Sequence, residues 1–571
     1  LFQKLNELNL KKLFLILSIT ILIFSCKQIT YFDIPPITKE ASGQNGMVVT
    51  AHPLASTIGN DILKQGGNAI DAAIAVHFAL AVCYPIAGNI GGGGFMMIHS
   101  ADGKTECLDY RETAPLKSTT DMYLNEDKTV KKNASTLGAL SCGVPGSVDG
   151  MWQAHQKYGK LEWEKLLAPA IKLAEYGILL TSREVNALTN AQEELLEING
   201  KSNPYYIENW KSSNTLTQSD LALTLKQISE KGRDGFYKGW VADSIVSTMH
   251  RHDGIISLQD LNDYRAKWRK PLIKRIGDYT IYCPPPPSSG GVALIQLLEI
   301  LRQSNLDSLP YHSTAYIHLV AEAERRVYAD RAEHLGDPDF YKIPIDSLID
   351  SSYLASRMSN FNPLMATPSD SISSGVFEES DQTTHFNVID AEGNAVSVTT
   401  TLNGAYGSKL VVRGAGFLLN NEMDDFSIKP GVPNLYGLVG SEANKIEPKK
   451  RMLSSMTPTI ILKGNKCYAL VGTPGGSTII TSVLQTILNL TQEGFTPQES
   501  VNSGRFHHQW RPDTIFFESG TFNEEVIDSL KKMGHGIAYY GAIGRVELIE
   551  IVDGLMYGAA DPRGDDCAMG Y

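Results

Sequence analysis

The chain of 571 residues contains no C-x-x-C pair, no H-E-x-x-H and no G-x-x-x-x-G-K-[ST]. The first absence removes zinc ribbons and fingers. The other two remove the helical zinc-protease motif and the nucleotide phosphate loop. Cys83, Cys107, Cys142, Cys283, Cys467 and Cys567 are scattered, which argues against a disulfide framework and reads as small core residues. There is no basic run, and the formal net charge is −12. A surface that tracks nucleic-acid phosphates is therefore excluded. No internal repeat occurs. Apolar residues at 42% and charged residues at 20% describe an ordinary globular body.

What is present begins at the N-terminus. Lys4, Lys11 and Lys12 precede an apolar run, residues 13–24, broken only by Ser18 and Thr20. A spanning helix needs about 20 residues, so this run reads as a signal peptide, residues 1–25. Ile23-Phe24-Ser25-Cys26 resembles a bacterial lipobox, which makes Cys26 the expected lipid acceptor. The expectation is an exported, periplasmic protein held to a membrane by that lipid alone. Residues 26–46 are polar and Pro-bearing and read as a tether.

Residues 56–83 read as helical, interrupted at Gly66-Gly67, and residues 95–98 as a buried strand. Gly91-Gly92-Gly93-Gly94 lies between them. No lysine follows and a strand comes next, so the glycines indicate close backbone packing rather than nucleotide binding. Residues 150–270 are helix-rich. Pro284–Pro287 and Ser288–Gly291 mark a rigid turn before helix 292–303, and 315–334 is a second long helix. Residues 351–380 are Ser-rich and suit an exposed segment. From 385 the pattern becomes a β-hairpin, 385–390 and 395–401, with a four-residue loop. Strands 459–462, 468–472 and 547–552, a buried helix 478–490 and an amphipathic helix 524–533 follow. Strands grouped with long apolar helices imply stacked layers, sheet on sheet with helices outside.

Two patterns are decoys. His507-His508 are adjacent and cannot face one metal together, so core packing is expected. Ser529-Leu530-Lys531-Lys532 fits S-x-x-K but ends an amphipathic helix, where lysines complement the dipole.

The chemistry converges on Asp381-Gln382-Thr383-Thr384-His385-Phe386. A threonine hydroxyl is a poor nucleophile without a base beside it. A threonine that becomes a chain terminus carries that base as its own α-amine, whose reference pKa is about 7.7–8.0. The arrangement implies self-cleavage between Gln382 and a new N-terminal threonine. Residue chemistry does not choose between Thr383 and Thr384.

Gly88–Phe95, Asp109-Tyr110-Arg111-Glu112, Ala329-Asp330-Arg331, Gly336-Asp337-Pro338-Asp339, Thr383-Thr384-His385, Asn420–Phe426, Pro430–Gly440, Leu453–Pro458 and Asp561-Pro562-Arg563 occur in one order. This series resembles the γ-glutamyltransferase family, also called γ-glutamyltranspeptidase or glutathione hydrolase, from about Gly46 to Tyr571. The resemblance implies an α+β N-terminal-nucleophile hydrolase, a four-layer αββα sandwich. It is built by two fragments of one precursor, 47–382 and 383–571, that stay together as a heterodimer.

The resemblance also chooses Thr383 as nucleophile and implies the other roles. Thr401 contacts it. Gly475 and Gly476 supply backbone N–H groups to the oxyanion. Arg111, Ser454 and Ser455 receive an α-carboxylate; Asn403, Glu422 and Asp425 receive an α-ammonium. Tyr436 gates the site from a lid loop. Glutathione or another γ-glutamyl compound is the implied donor, water or an amino acid or dipeptide the acceptor, and no cofactor or metal is needed. Two alternatives stand beside this: a cephalosporin-type acylase on the same fold, and an unprocessed lipoprotein acting as a binding module.

Overall fold

The computed structural model describes residues 31–371, 383–429 and 432–571. Gln382 and Cys26 lie outside these, as do the first two residues of the lid loop, Pro430 and Gly431.

Two seven-stranded sheets form the centre. One runs in the order Cys567–Gly570, Gly46–Thr50, Thr384–Asp390, Ala395–Thr401, Gly93–His99, Thr105–Asp109, Lys267–Arg269. The other runs Glu40–Gly43, Leu555–Ala560, Glu547–Val552, Lys466–Gly472, Thr459–Lys463, Tyr279–Cys283, Leu272–Ile276. Every neighbouring pair in both is antiparallel.

Alternation along the central strands makes the layers. Met47, Val49, Phe95 and Met97 point into the core shared with the second sheet and with helices Gly290–Gln303, Thr314–His334 and Thr478–Thr491. Val48, Met96, Ile98 and Val398 point the other way, onto helices Pro53–Lys64, Ala69–Cys83 and Trp163–Tyr176. Successive side chains of a strand face opposite sides, so a strand apolar throughout must be covered twice. The result is the expected helix–sheet–sheet–helix stack.

Local signals act where they were read. Helix Ala69–Cys83 starts on an Asn68/Asp71 capping box and is buried on all sides. Gly66, at φ 89°, separates it from the helix before. At Gly92 a Cβ would stand 2.0 Å from the Thr401 carbonyl oxygen, so the glycine run is a close-packing device beside the hairpin. The hairpin itself is Thr384–Asp390 and Ala395–Thr401.

Two segments differ from expectation. The tether reading fails from Phe32 onward. Phe32 exchanges backbone bonds with Gly177 and Leu179. Lys39 Nζ donates to the carbonyls of Asp561, Gly564 and Asp566 at 2.7–2.9 Å, and Glu40–Gly43 adds an edge strand. Polar composition concealed this because the partners are backbone groups distant in sequence. The Ser-rich stretch is also partly docked. Ser351–Arg357 is helical, Thr367 donates to Glu322, and the Ser369 N–H donates to Asp513.

Candidate active site

Thr383 precedes the central strand Thr384–Asp390 and is buried. Its hydroxyl oxygen lies 3.4 Å from that of Thr401, the last residue of the neighbouring strand. Antiparallel pairing of Thr384 with Thr400 sets this, because it brings the start of one strand against the end of the other. The Asn403 N–H donates to Thr401 Oγ1 at 2.8 Å. Asn403 itself sits at φ 72°, a turn conformation that asparagine tolerates, and Nδ2 donates to the Asn421 carbonyl.

One cavity of about 280 Å³ is lined by Thr383, Thr401, Asn403, Arg111, Glu422, Asp425, Tyr436, Ser454, Ser455 and Gly476, among others. That volume includes space open to solvent; the enclosed part is about 20 Å³, room for little more than one water. Gly475, at φ 137°, precedes Gly476 in the turn into helix Thr478–Thr491. The helix N-terminus adds positive potential there. Gly476 has φ 52°, and a Cβ on it would stand 2.4 Å from the Tyr436 ring.

Arg111 is fully buried. Nη1 donates to Glu422 and Nη2 to Asp425, while Nε and Nη2 also reach the Met452 and Leu453 carbonyls. Glu112 stands 3.6 Å away. Three carboxyls therefore surround one guanidinium. Burial raises the pKa of Glu422 and Asp425, opposed by Arg111. Burial likewise raises Glu112 to about 7. The hydrogen-bonded partners of Arg111, Glu422 and Asp425, are 311 and 314 residues away in the chain.

The opposite wall comes from the Pro-rich turn. The Ser454 N–H donates to the Pro287 carbonyl, and Ser289 donates to the Ser454 carbonyl through both N–H and hydroxyl. Tyr436 lines the cavity, is 4% exposed and donates its hydroxyl proton to the Asn403 carbonyl. Asn434 Nδ2 donates to Asp425, and the Leu435 N–H donates to Asp424. Motif reading gave no role to Arg331, Ser289, Asn434 or Asp424. Arg331, Asn434 and Asp424 lay in quoted motifs, and the position of Arg331 against Ser455 becomes visible only in three dimensions.

The decoys are structural. His507 and His508 are buried and face different partners, Gln509 and Asp513. Among the described residues His318, Glu322 and His535 could meet at a metal. However, Glu322 already accepts from Arg325, Arg326 and Thr367, and two guanidiniums beside it oppose a cation. Cys83, Cys107, Cys142, Cys283 and Cys567 are buried thiols, and Cys467 is nearly so.

Two stacked antiparallel sheets between helices, with a threonine at the head of a central strand facing the cavity, define an N-terminal-nucleophile hydrolase. The solved cephalosporin acylase of Bacillus halodurans superposes with a TM-score of 0.81 at 25% identity, covering 94% of this chain and 98% of that one. A chain of Helicobacter pylori γ-glutamyltranspeptidase matches at 44% identity and TM-score 0.56, covering 57% of this chain and 94% of that one. The glutathione hydrolase proenzyme of Pseudomonas aeruginosa is 46% identical over 530 residues, 92% of this chain and 94% of that protein. The proenzyme of the same name from Escherichia coli is 43% identical over 535 residues. The family model for gamma-glutamyltranspeptidase matches residues 55–571. The chain belongs to the gamma-glutamyltranspeptidase family.

Proposed function

We propose that this protein is a self-processing γ-glutamyltranspeptidase and glutathione hydrolase, with Thr383 as its nucleophile. The observation that carries the reading is the charge set in the Thr383 cavity. A free glutamyl head group bears an α-carboxylate and an α-ammonium. Arg111 with Ser454 and Ser455 suits the first; Glu422, Asp425 and Asn403 suit the second. Arg111 is neutralised by Glu422 and Asp425. A zwitterion can enter by exchange: its carboxylate takes the guanidinium, and the released carboxylates take its ammonium. An acyl chain without an ammonium could not make that exchange, which favours this reading over the cephalosporin-type acylase alternative.

The steps follow from the geometry. The Thr383 hydroxyl oxygen attacks the γ-carbonyl carbon and its proton passes to the Thr383 α-amine. The carbonyl oxygen becomes an oxyanion beside the Gly475 and Gly476 N–H groups, where each donor contributes about 2.7–4 kcal/mol. The C–N bond breaks, and the leaving amine takes the proton from the α-amine. Water or an acceptor amine then attacks the γ-glutamyl ester and frees Thr383. Processing uses the same hydroxyl on the Gln382 carbonyl: an ester replaces the peptide bond and water hydrolyses it. Both sheets draw strands from 47–382 and from 383–571, which supports a heterodimer that survives the cut.

Residues 1–25 are proposed as signal peptide and Cys26 as lipid acceptor, with the protein exported to the periplasm. Among the described residues no helix is long and apolar enough to cross a membrane. The test joins processing to specificity. Edman sequencing of the smaller fragment should begin Thr-Thr-His-Phe, and glutathione should yield free glutamate or γ-glutamyl-dipeptide. An active single chain, or a fragment beginning at Thr384, would overturn the assignment.

A further inference from the structure

The Arg331 side chain is almost completely buried on helix Thr314–His334. Among the described residues no carboxylate lies within ion-pair distance of it. An unpaired buried cation is expensive, so what it touches matters. Nε donates to Ser289 Oγ at 2.9 Å, and Nη2 donates to Ser455 Oγ at 3.2 Å. Ser289 in turn donates its hydroxyl to the Ser454 carbonyl at 2.7 Å. One planar guanidinium thus holds both serines of the cavity wall, one directly and one through Ser289. Arg331 does not itself line the cavity.

From this geometry we infer that Arg331 is a positioning residue that makes the Ser454–Ser455 wall selective for an anionic group. The inference rests on the reading that this cavity receives the head group's α-carboxylate. Two consequences follow from the contacts. Because Ser455 Oγ accepts from the guanidinium, its own proton is left to donate, and the wall presents a donor to the ligand. The guanidinium charge also polarises that hydroxyl across one bond, strengthening it toward a carboxylate. Burial lowers the Arg331 pKa to about 10, which still leaves it charged at neutral pH. Asp425, whose charge favours the Arg331 cation, is already bonded to Arg111 and Asn434. The positive charge is therefore not cancelled locally, and a ligand carboxylate is its natural complement.

The test compares a γ-glutamyl anilide with its α-carboxamide counterpart, on self-cleaved protein of checked melting temperature. Wild type should strongly prefer the carboxylate donor. Arg331→Gln should lower kcat/KM for that donor by about 10- to 100-fold, mainly through KM, one charge-assisted bond's worth. It should leave the carboxamide donor nearly unchanged, and it should add little on top of Ser455→Ala. Arg331→Lys keeps the charge but cannot span both serines, so an intermediate, carboxylate-restricted loss is expected. Equal losses on both donors, additivity with Ser455→Ala, or a wild-type-like Arg331→Lys would overturn the inference. If wild type itself failed to distinguish the two donors, the head-group reading would fall instead. Should Arg331→Gln not fold, the lysine variant carries the decision.

Discussion

The hydroxyl oxygen of Thr401 lies 3.4 Å from that of Thr383, held there by the N–H of Asn403. The contact joins the ends of two paired strands and does not depend on a loop. Thr401→Ala should therefore fold normally and lower kcat by about fivefold, the worth of one hydrogen bond of about 1 kcal/mol. Thr401→Ser should keep most activity. Steady-state kinetics on the pair decides it; an alanine variant with full kcat would leave Thr401 as a strand residue only.

Arg111→Ala leaves Glu422 and Asp425 buried without their cation, which destabilises by about 3–5 kcal/mol where such pairs are broken. The expected outcome is a lower melting temperature as well as lost turnover. Arg111→Lys separates the two effects. It should self-cleave, yet show a KM for a γ-glutamyl anilide raised about tenfold or more, because one ammonium does not replace a bidentate fork. Wild-type kcat/KM in Arg111→Lys would make Arg111 purely structural.

Gly476→Ala brings a Cβ to 2.4 Å from the Tyr436 ring at a residue with φ 52°. Lid and oxyanion site should be disturbed together. We expect kcat to fall by about 10²–10³, comparable to losing an oxyanion donor, and the melting temperature to fall as well, because alanine is strained at positive φ. A crystal structure with Tyr436 unmoved and turnover intact would contradict this.

Asp424 ties the lid loop to the body by accepting from Ser135 and from the Leu435 N–H. Burial raises its pKa from 3.8 to about 7. Between those values the folded protein holds a proton that the unfolded chain has released. Its stability contribution is thus complete at low pH and lost as pH rises through about 7. Asp424→Asn removes the titration, so the melting temperature of wild type relative to this variant should fall between pH 4 and pH 7. A pH-independent difference would place the proton elsewhere.

Cys26→Ser should move the protein from the membrane to the soluble fraction with unchanged specific activity. The body is anchored to itself from Phe32 onward, so loss of the lipid does not loosen the fold. Mass spectrometry of a mature N-terminus lying beyond Cys26 would remove the anchor and leave the enzyme untouched.

Much of this was legible in one dimension. Period-two alternation and buried runs gave the hairpin Thr384–Asp390 and Ala395–Thr401, the strand Gly93–His99 and the helices Gly290–Gln303 and Thr478–Thr491, because these depend on local pattern. The family resemblance named most of the residues that line the Thr383 cavity, though not Leu438, Met456 or Ile479. What the sequence could not carry was pairing between distant segments. The docking of Lys39 on the carbonyls near Asp561, and of Ser369 on Asp513, joins polar residues whose partners have no sequence signature. The neutralisation of Arg111 by Glu422 and Asp425, and the bond from Arg331 to Ser455, belong to the same class. Residue type fixed which charges the chain carries. Only the stacking of two sheets decided which of them share one buried, low-dielectric cavity, and there a charge's meaning is set by its neighbours.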